Sequence, residues 1–157
     1  MPTSPYTLQA VLLDSGPLGL LTHPKGSPES IACREWAISL AESGVRVIIP
    51  EIIDYELRRE LIQARLARSL RLLDQLLEMF DYLPIDTKIM RQAADFWAQA
   101  RQAGLATADR HAVDGDVILA AQTVSLGFAP EEVVIATANI GHISRFVAAK
   151  LWRDISI

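Results

Sequence analysis

Apolar and polar positions change their period several times along the chain, and each change marks an element. Leu8 to Leu13 is short, mostly apolar and closed by Asp14, as expected of a first strand. Ser15 to Pro28 is rich in Gly and Pro and reads as a loop. Glu29 to Glu42 reads as a helix that Gly44 stops. Val45 to Ile49 is short and β-branched, a second strand, and Pro50 opens the helix that follows, where its missing N–H costs little. That helix, or a pair of helices, runs to about Phe80. Within it Leu66, Leu70, Leu73, Leu77 and Phe80 step by 4, 3, 4 and 3 along one face. Asp81 to Ile85 is a weaker third strand, and Asp86 caps a helix whose Ile89, Ala93, Trp97 and Ala100 share a face up to Gly104. Asp114 to Leu126 is a further helix ending at Gly127. Glu132 to Ala136 is a strand, Ile140 to Ala149 a helix and Leu151 to Ile155 a last short strand.

Strands that alternate with helices imply an α/β fold, a central parallel sheet of about five strands covered on both faces in three α/β/α layers. Such sheets place their ligands beyond the carboxyl ends of the strands, where strand order reverses. Functional groups are therefore sought just after a strand or in the first turn of the next helix. At 157 residues, with no internal repeat and no linker, the chain is expected to be a single domain over 1–157. Half of it is apolar, enough for a core without staples, and the lone Cys33 excludes an internal disulfide. No apolar run reaches membrane-spanning length, and the first residues, MPTSPYTLQ, lack the basic start of a secretory signal. The expected location is the cytoplasm, with no membrane partner.

Four acidic or amide positions fall where the sheet rule points. Asp14 closes the first strand, either as a metal or substrate ligand or as a cap for the next turn. Glu56 lies four residues after Ile52 and three after Ile53, on their side of the helix, whereas Glu51 and Asp54 suit the helix dipole of the first turn. Taken alone, Glu56 reads as a solvated flank near Arg59. Asp114 and Asp116 open a helix whose next residues, Val117 to Ala121, are apolar on every side. Asp114 is a natural N-cap, while capping does not explain Asp116. Two acids held so close favour a cation between them. Asn139 follows the strand ending at Ala136, in the run Thr137-Ala138-Asn139, and both Thr and Asn are also ordinary caps. Hard oxygen ligands spread over four elements suit magnesium or manganese.

In this order the residues resemble the PIN domain family, and within it the small VapC-like toxins, over roughly residues 8–155. Val11-Leu-Leu-Asp14-Ser15-Gly16 is similar to the family's opening motif, and Pro50 with Glu56 six positions on to its second. Asp116-Val-Ile-Leu-Ala-Ala121 is similar to the third, and Thr137-Ala-Asn139 followed by His142 to the fourth. The resemblance implies that Asp14, Glu56 and Asp116 bind metal, with Asn139 completing the ring and Asp114 as an extra acid. It implies hydrolysis of RNA phosphodiester bonds by magnesium or manganese, with Ser15 and Thr137 orienting water or phosphate. An antitoxin protein and a homodimer are the partners it implies. Asn139 departs from the acid often found there, and Gly19 to Pro28 is longer and richer in Pro than in short toxins.

Charge qualifies this picture. The net charge is −4 and the pI about 5.3, unusual for a domain that holds nucleic acid by charge alone. The cations are mostly arginine, 12 against 3 lysines, and the arginine fork suits phosphate. Arg58, Arg65, Arg68 and Arg71 fall on one broad side of the long helical stretch. They form either a phosphate track or a solvated face paired with Glu60, Asp74 and Glu78. His23, His111 and His142 share no ligand spacing and read as surface or loop residues. A rival reading is a weakly active or inactive RNA-binding or scaffold domain on the same fold, for which Asn139 and the acidic pI leave room. A phosphatase of the haloacid dehalogenase kind would need a second Asp two residues after the strand-end Asp, where this chain has Gly16.

Overall fold

The computed structural model describes residues 7–104, 110–141 and 143–156, with 110–113 described in their backbone. Five strands form one sheet: β1 (Ala10–Leu13), β2 (Arg46–Pro50), β3 (Asp81–Leu83), β4 (Val133–Thr137) and β5 (Ala149–Leu151). The strand order is β3-β2-β1-β4-β5, and every pairing is parallel. Six helices accompany them among the described residues: α1 (Ser15–Leu21), α2 (Pro28–Glu42), α3 (Glu51–Gln63), α4 (Ala67–Met79), α5 (Thr87–Gln102) and α6 (Arg110–Ser125). The three-layer α/β/α architecture expected from the alternation of elements is the one observed. No described helix is long and apolar enough to cross a membrane.

Burial explains the sheet. All four residues of β1 are inaccessible to solvent, as are Ile48, Ile49, Ile135 and Ala136 on its neighbours. A strand buried on both faces has no polar side to alternate, hence the continuous apolar runs. β1 stands at the centre, and the chain builds outward from it first to β2 and β3, then back across to β4 and β5. The reversal falls between β1 and β4, whose carboxyl ends carry Asp14 and Thr137. Asp14 N–H bonds Ala136 O at 2.9 Å and closes the gap between the two strands.

The structure departs from the sequence expectations in four places. Ser15 to Leu21, read as the start of a loop, is a helix; Asp14 caps it by accepting from Ser15 N–H, and Pro17 sits within the first turn, where it breaks no bond. Gly16 belongs there for proximity, because a Cβ at that position would lie 2.5 Å from the Ala138 side chain. The stretch after Pro50, by contrast, follows one of the two expected alternatives, a pair of helices, broken at Arg65, whose φ of 58° is left-handed. α6 begins at Arg110, a turn before the expected Asp114. The expected helix from Ile140 to Ala149 is a single 3-10 turn, Ile143–Arg145, and then strand β5; the expected strand at 151–155 is mostly the turn Trp152–Asp154. Here the sheet edge wins: Ile135 N–H bonds Ala148 O and draws the segment into the ladder.

Candidate functional site

The site is built at the reversal point. Asp14 is fixed from two sides. Ser15 N–H donates to its Oδ1 at 2.7 Å, and the buried hydroxyl of Thr137 lies 2.9 Å from its Oδ2. The same hydroxyl is 2.9 Å from Asn139 O and accepts from Asn139 N–H at 3.1 Å, so Thr137 is the pivot of the β4 end. Thus β1 and β4 present one carboxylate with both oxygens engaged, in the crevice where parallel sheets take ligands.

Glu56 enters from α3, half-buried one turn above Ile52 and Ile53, which anchor the helix in the core. Its carboxylate lies against the backbone of Gly115 on α6, where an added Cβ would overlap it. Burial raises the Glu56 pKa first, and the negative charge of Asp14 raises it further. Arg59 opposes these effects, while Asp116 and Glu60 add to them. Charges on three separate elements therefore converge on one carboxyl group, although they lie 42 and 60 residues from it in sequence (Asp14 and Asp116). Asp116 is half-buried and engaged in contacts of its own.

The remaining candidates lie further out. Asp114 is exposed and faces the groove between α5 and α6 with Trp97 and Ile118, and it is not among the charges acting on Glu56. The Asn139 side chain is exposed and lies over Gly141, while its backbone is tied to Thr137. Ser15 is exposed beside Asp14. His23 is exposed; His142 and the His111 side chain fall outside the described residues. Among the arginines, Arg58 is paired with Asp74 at 2.9 Å, a partner that the solvated-face reading named, and with Asp54 at 3.0 Å, which it did not. Arg68 and Arg71 flank a shallow groove with Pro24 and Gln75.

A family profile for the PIN domain matches residues 11–129, which include the β1 end, Glu56 and Asp116. The chain belongs to the PIN domain family. This PIN domain also aligns with solved structures over nearly its whole length. The VapBC2 structure from Rickettsia felis, bound to a DNA fragment from its promoter, matches with a TM-score of 0.68 at 16% identity, covering 92% of this chain and 99% of that one. The DNA-bound VapBC of Salmonella typhimurium gives 0.66 at 17%, covering 93% and 99%. VapBC-1 of nontypeable Haemophilus influenzae gives 0.62 at 15%, covering 93% and 100%. At these identities the likeness is one of fold. No curated protein matches the chain in sequence.

Among the described residues no three His, Cys, Asp or Glu side chains are gathered tightly enough to enclose an ion as they stand. The charge pattern nonetheless fits one: the largest charge effect on Glu56 is repulsion by Asp14, and a cation between such groups relieves it. The oxygens are hard donors, the class that magnesium and manganese take.

Two residues that carry this geometry escaped the sequence reading. Gly115 makes room for Glu56, and its position between two acids, Asp114-Gly115-Asp116, was the available signal. Gln122 ties α6 to α3; nothing in its sequence context marks it beyond an amide inside an apolar run.

Proposed function

We propose that this PIN domain is a metal-dependent ribonuclease that hydrolyses RNA phosphodiester bonds in the cytoplasm and serves as the toxin of a toxin–antitoxin pair. The observation that carries the reading is the convergence of Asp14 and Asp116 on the half-buried Glu56 at the strand-order reversal. Family membership and the VapBC fold likeness support it. Asp14 and Asp116, with Glu56, would hold magnesium or manganese. When bound, the ion supplies Lewis-acid stabilisation of charge on the phosphoryl oxygens and makes water a stronger nucleophile.

The residues of the chain do the rest. Thr137 and Ser15 N–H fix the Asp14 carboxylate, so its position does not have to be organised when substrate arrives. Glu56, set against the Gly115 backbone beside Asp14 and Asp116, would hold a metal-bound water or share in its deprotonation. Ser15 and the amide of Asn139 stand at the exposed rim, in reach of phosphate or water. Asp114, on the α5 side of α6, acts as an outlying acid of the site. The proposed partners are RNA as substrate, an antitoxin protein and a second copy of the chain as a homodimer.

The test is cleavage of a panel of structured RNAs with magnesium, manganese or chelator, in wild type, Asp14→Asn and Asp116→Asn. Metal-dependent cutting lost in both variants is the expected result. RNA binding with no cutting under any metal would instead make this a scaffold on the nuclease fold.

A further inference from the structure

α3 starts under a handicap. Pro50 stands at its N-cap and makes no side-chain cap bond, so the helix's first N–H groups need other partners. One partner comes from 70 residues away: Gln122 Oε1 accepts from Ile52 N–H at 3.3 Å. The other end of the same amide donates to Leu83 O at 2.7 Å, at the carboxyl end of β3. Gln122 is wholly buried, next to Leu119, Ala120 and Ala121, which are equally closed to solvent. An amide costs free energy in such surroundings unless both its ends are bonded, and here both are. Methionine would fill a similar volume without that requirement, so the amide is there for what it bonds.

Its two bonds tie α6, which carries Asp116, to α3, which carries Glu56, and to the carboxyl end of β3. Ile52 lies one turn before Glu56 on α3, and Gln122 lies on the helix that carries Gly115 and Asp116. The Glu56 carboxylate touches the Gly115 backbone, so a small turn or slide of α3 against α6 changes that contact directly. We infer that Gln122 is a positioning residue: it caps α3 from α6, fixes the two helices in rotation and height, and thereby sets Glu56 against Gly115 and Asp116. The inference rests on the metal-nuclease reading of that site for its functional weight, while its geometric content stands apart from it.

The experiment compares wild type with Gln122→Met, which keeps the shape and loses both bonds, and Gln122→Glu. All are read well below their melting temperatures. Ile52 amide exchange reports the cap. The nuclear Overhauser effect between the Glu56 side chain and the Gly115 α protons reports the contact, read in metal-free protein or with diamagnetic Mg²⁺. Mn²⁺ affinity, and kcat against KM on RNA, report the function. In Gln122→Met, Ile52 is expected to lose protection and the Glu56–Gly115 signal to weaken. Mn²⁺ binding should fall by about tenfold, as when an outer-shell partner is removed, and kcat should fall with KM little changed. A protonated carboxyl offers one donor and one acceptor, as the amide does. Gln122→Glu should therefore behave as wild type at acid pH. Once that buried carboxyl ionises, it can still accept from Ile52 N–H but no longer donate to Leu83 O, so the Ile52 cap persists while the tie to β3 is lost.

An unchanged Glu56–Gly115 signal in a folded Gln122→Met overturns the inference, even if stability drops. So does unchanged Mn²⁺ affinity where wild type binds the ion. If wild type neither binds Mn²⁺ nor cuts RNA, the nuclease reading fails, and the nuclear Overhauser signal alone still decides whether Gln122 positions Glu56.

Discussion

Replacing Gly115 with alanine should make this protein more stable and less active at once. Gly115 lies inside α6 with an ordinary helical backbone, so alanine can adopt its conformation. In a helix interior the exchange gains up to about 1 kcal/mol, which in a domain of this size raises the melting temperature by roughly 2–4 °C. The obstacle is the Glu56 carboxylate, which occupies the space the new Cβ needs, with Glu56 Cδ 3.4 Å away. That carboxylate is the far end of a flexible side chain. It can swing outward, which also takes it away from the negative charges of Asp14 and Asp116. The cost to folding is therefore small, while the site loses its central acid. Under the proposed reading, displacement by about 1 Å suffices for a loss on the order of 100-fold in cleavage rate. Thermal unfolding followed by circular dichroism in chelator, together with RNA cleavage in Mn²⁺, checks both halves. A lower melting temperature would show that Glu56 cannot move as argued. A raised one with full activity would show that its position against Gly115 does not matter for cleavage.

Thr137→Val keeps the buried volume and removes the hydroxyl beside Asp14 Oδ2; with a charged acceptor half open to solvent, about 1–2 kcal/mol of stability should go, measurable by urea unfolding. Glu56→Gln should flatten the pH dependence of stability in chelator. Because the folded protein raises the Glu56 pKa, wild type is favoured by this group below its unfolded value of about 4.3. That contribution disappears as pH rises through the folded value, so the variant should be relatively more stable at neutral pH; parallel stability curves would refute it. Cys33 should resist alkylation near neutral pH, since burial and Glu29 push its thiol up to about 12 and its Sγ faces Pro17 O at 3.7 Å. Rapid labelling of native protein, followed by mass spectrometry, would contradict the packing around α1 and α2.

The parts of the fold that the sequence revealed are those where burial and period coincide. β1, β2 and β4 are apolar because both faces are covered, and α5 shows its buried stripe through Ile89, Ala93 and Ala100. Where a residue serves a neighbour far along the chain, local pattern misleads. Gly16 reads as a breaker but exists to let α1 approach Ala138. The Ile140–Ala149 stretch carries enough Ala and Ile for a helix, yet its strand is decided by a backbone bond to Ile135. The same holds at the site. Asp14, Glu56 and Asp116 stand where topology makes acids notable, whereas the separation of Asp114 from Glu56 depends on where α6 begins, a turn earlier than its polar residues indicate.

The central place of β1 has a consequence for how the molecule comes into being. Its residues 10–13 leave the ribosome before the sheet's other strands, and their second neighbour, β4 at 133–137, is made about 120 residues later. At synthesis rates of about 5–20 residues per second, β1 waits for several seconds with one flank open. Pairings so distant in sequence also close slowly once the chain is whole. The hydroxyl of Thr137 reaches Asp14 only at that closing step. A nascent or truncated chain lacking β4 can display Asp14, Glu56 and Asp116 and still not hold them in order. Completion of the sheet acts as a timer, keeping the acidic crevice unassembled until β4 has been made.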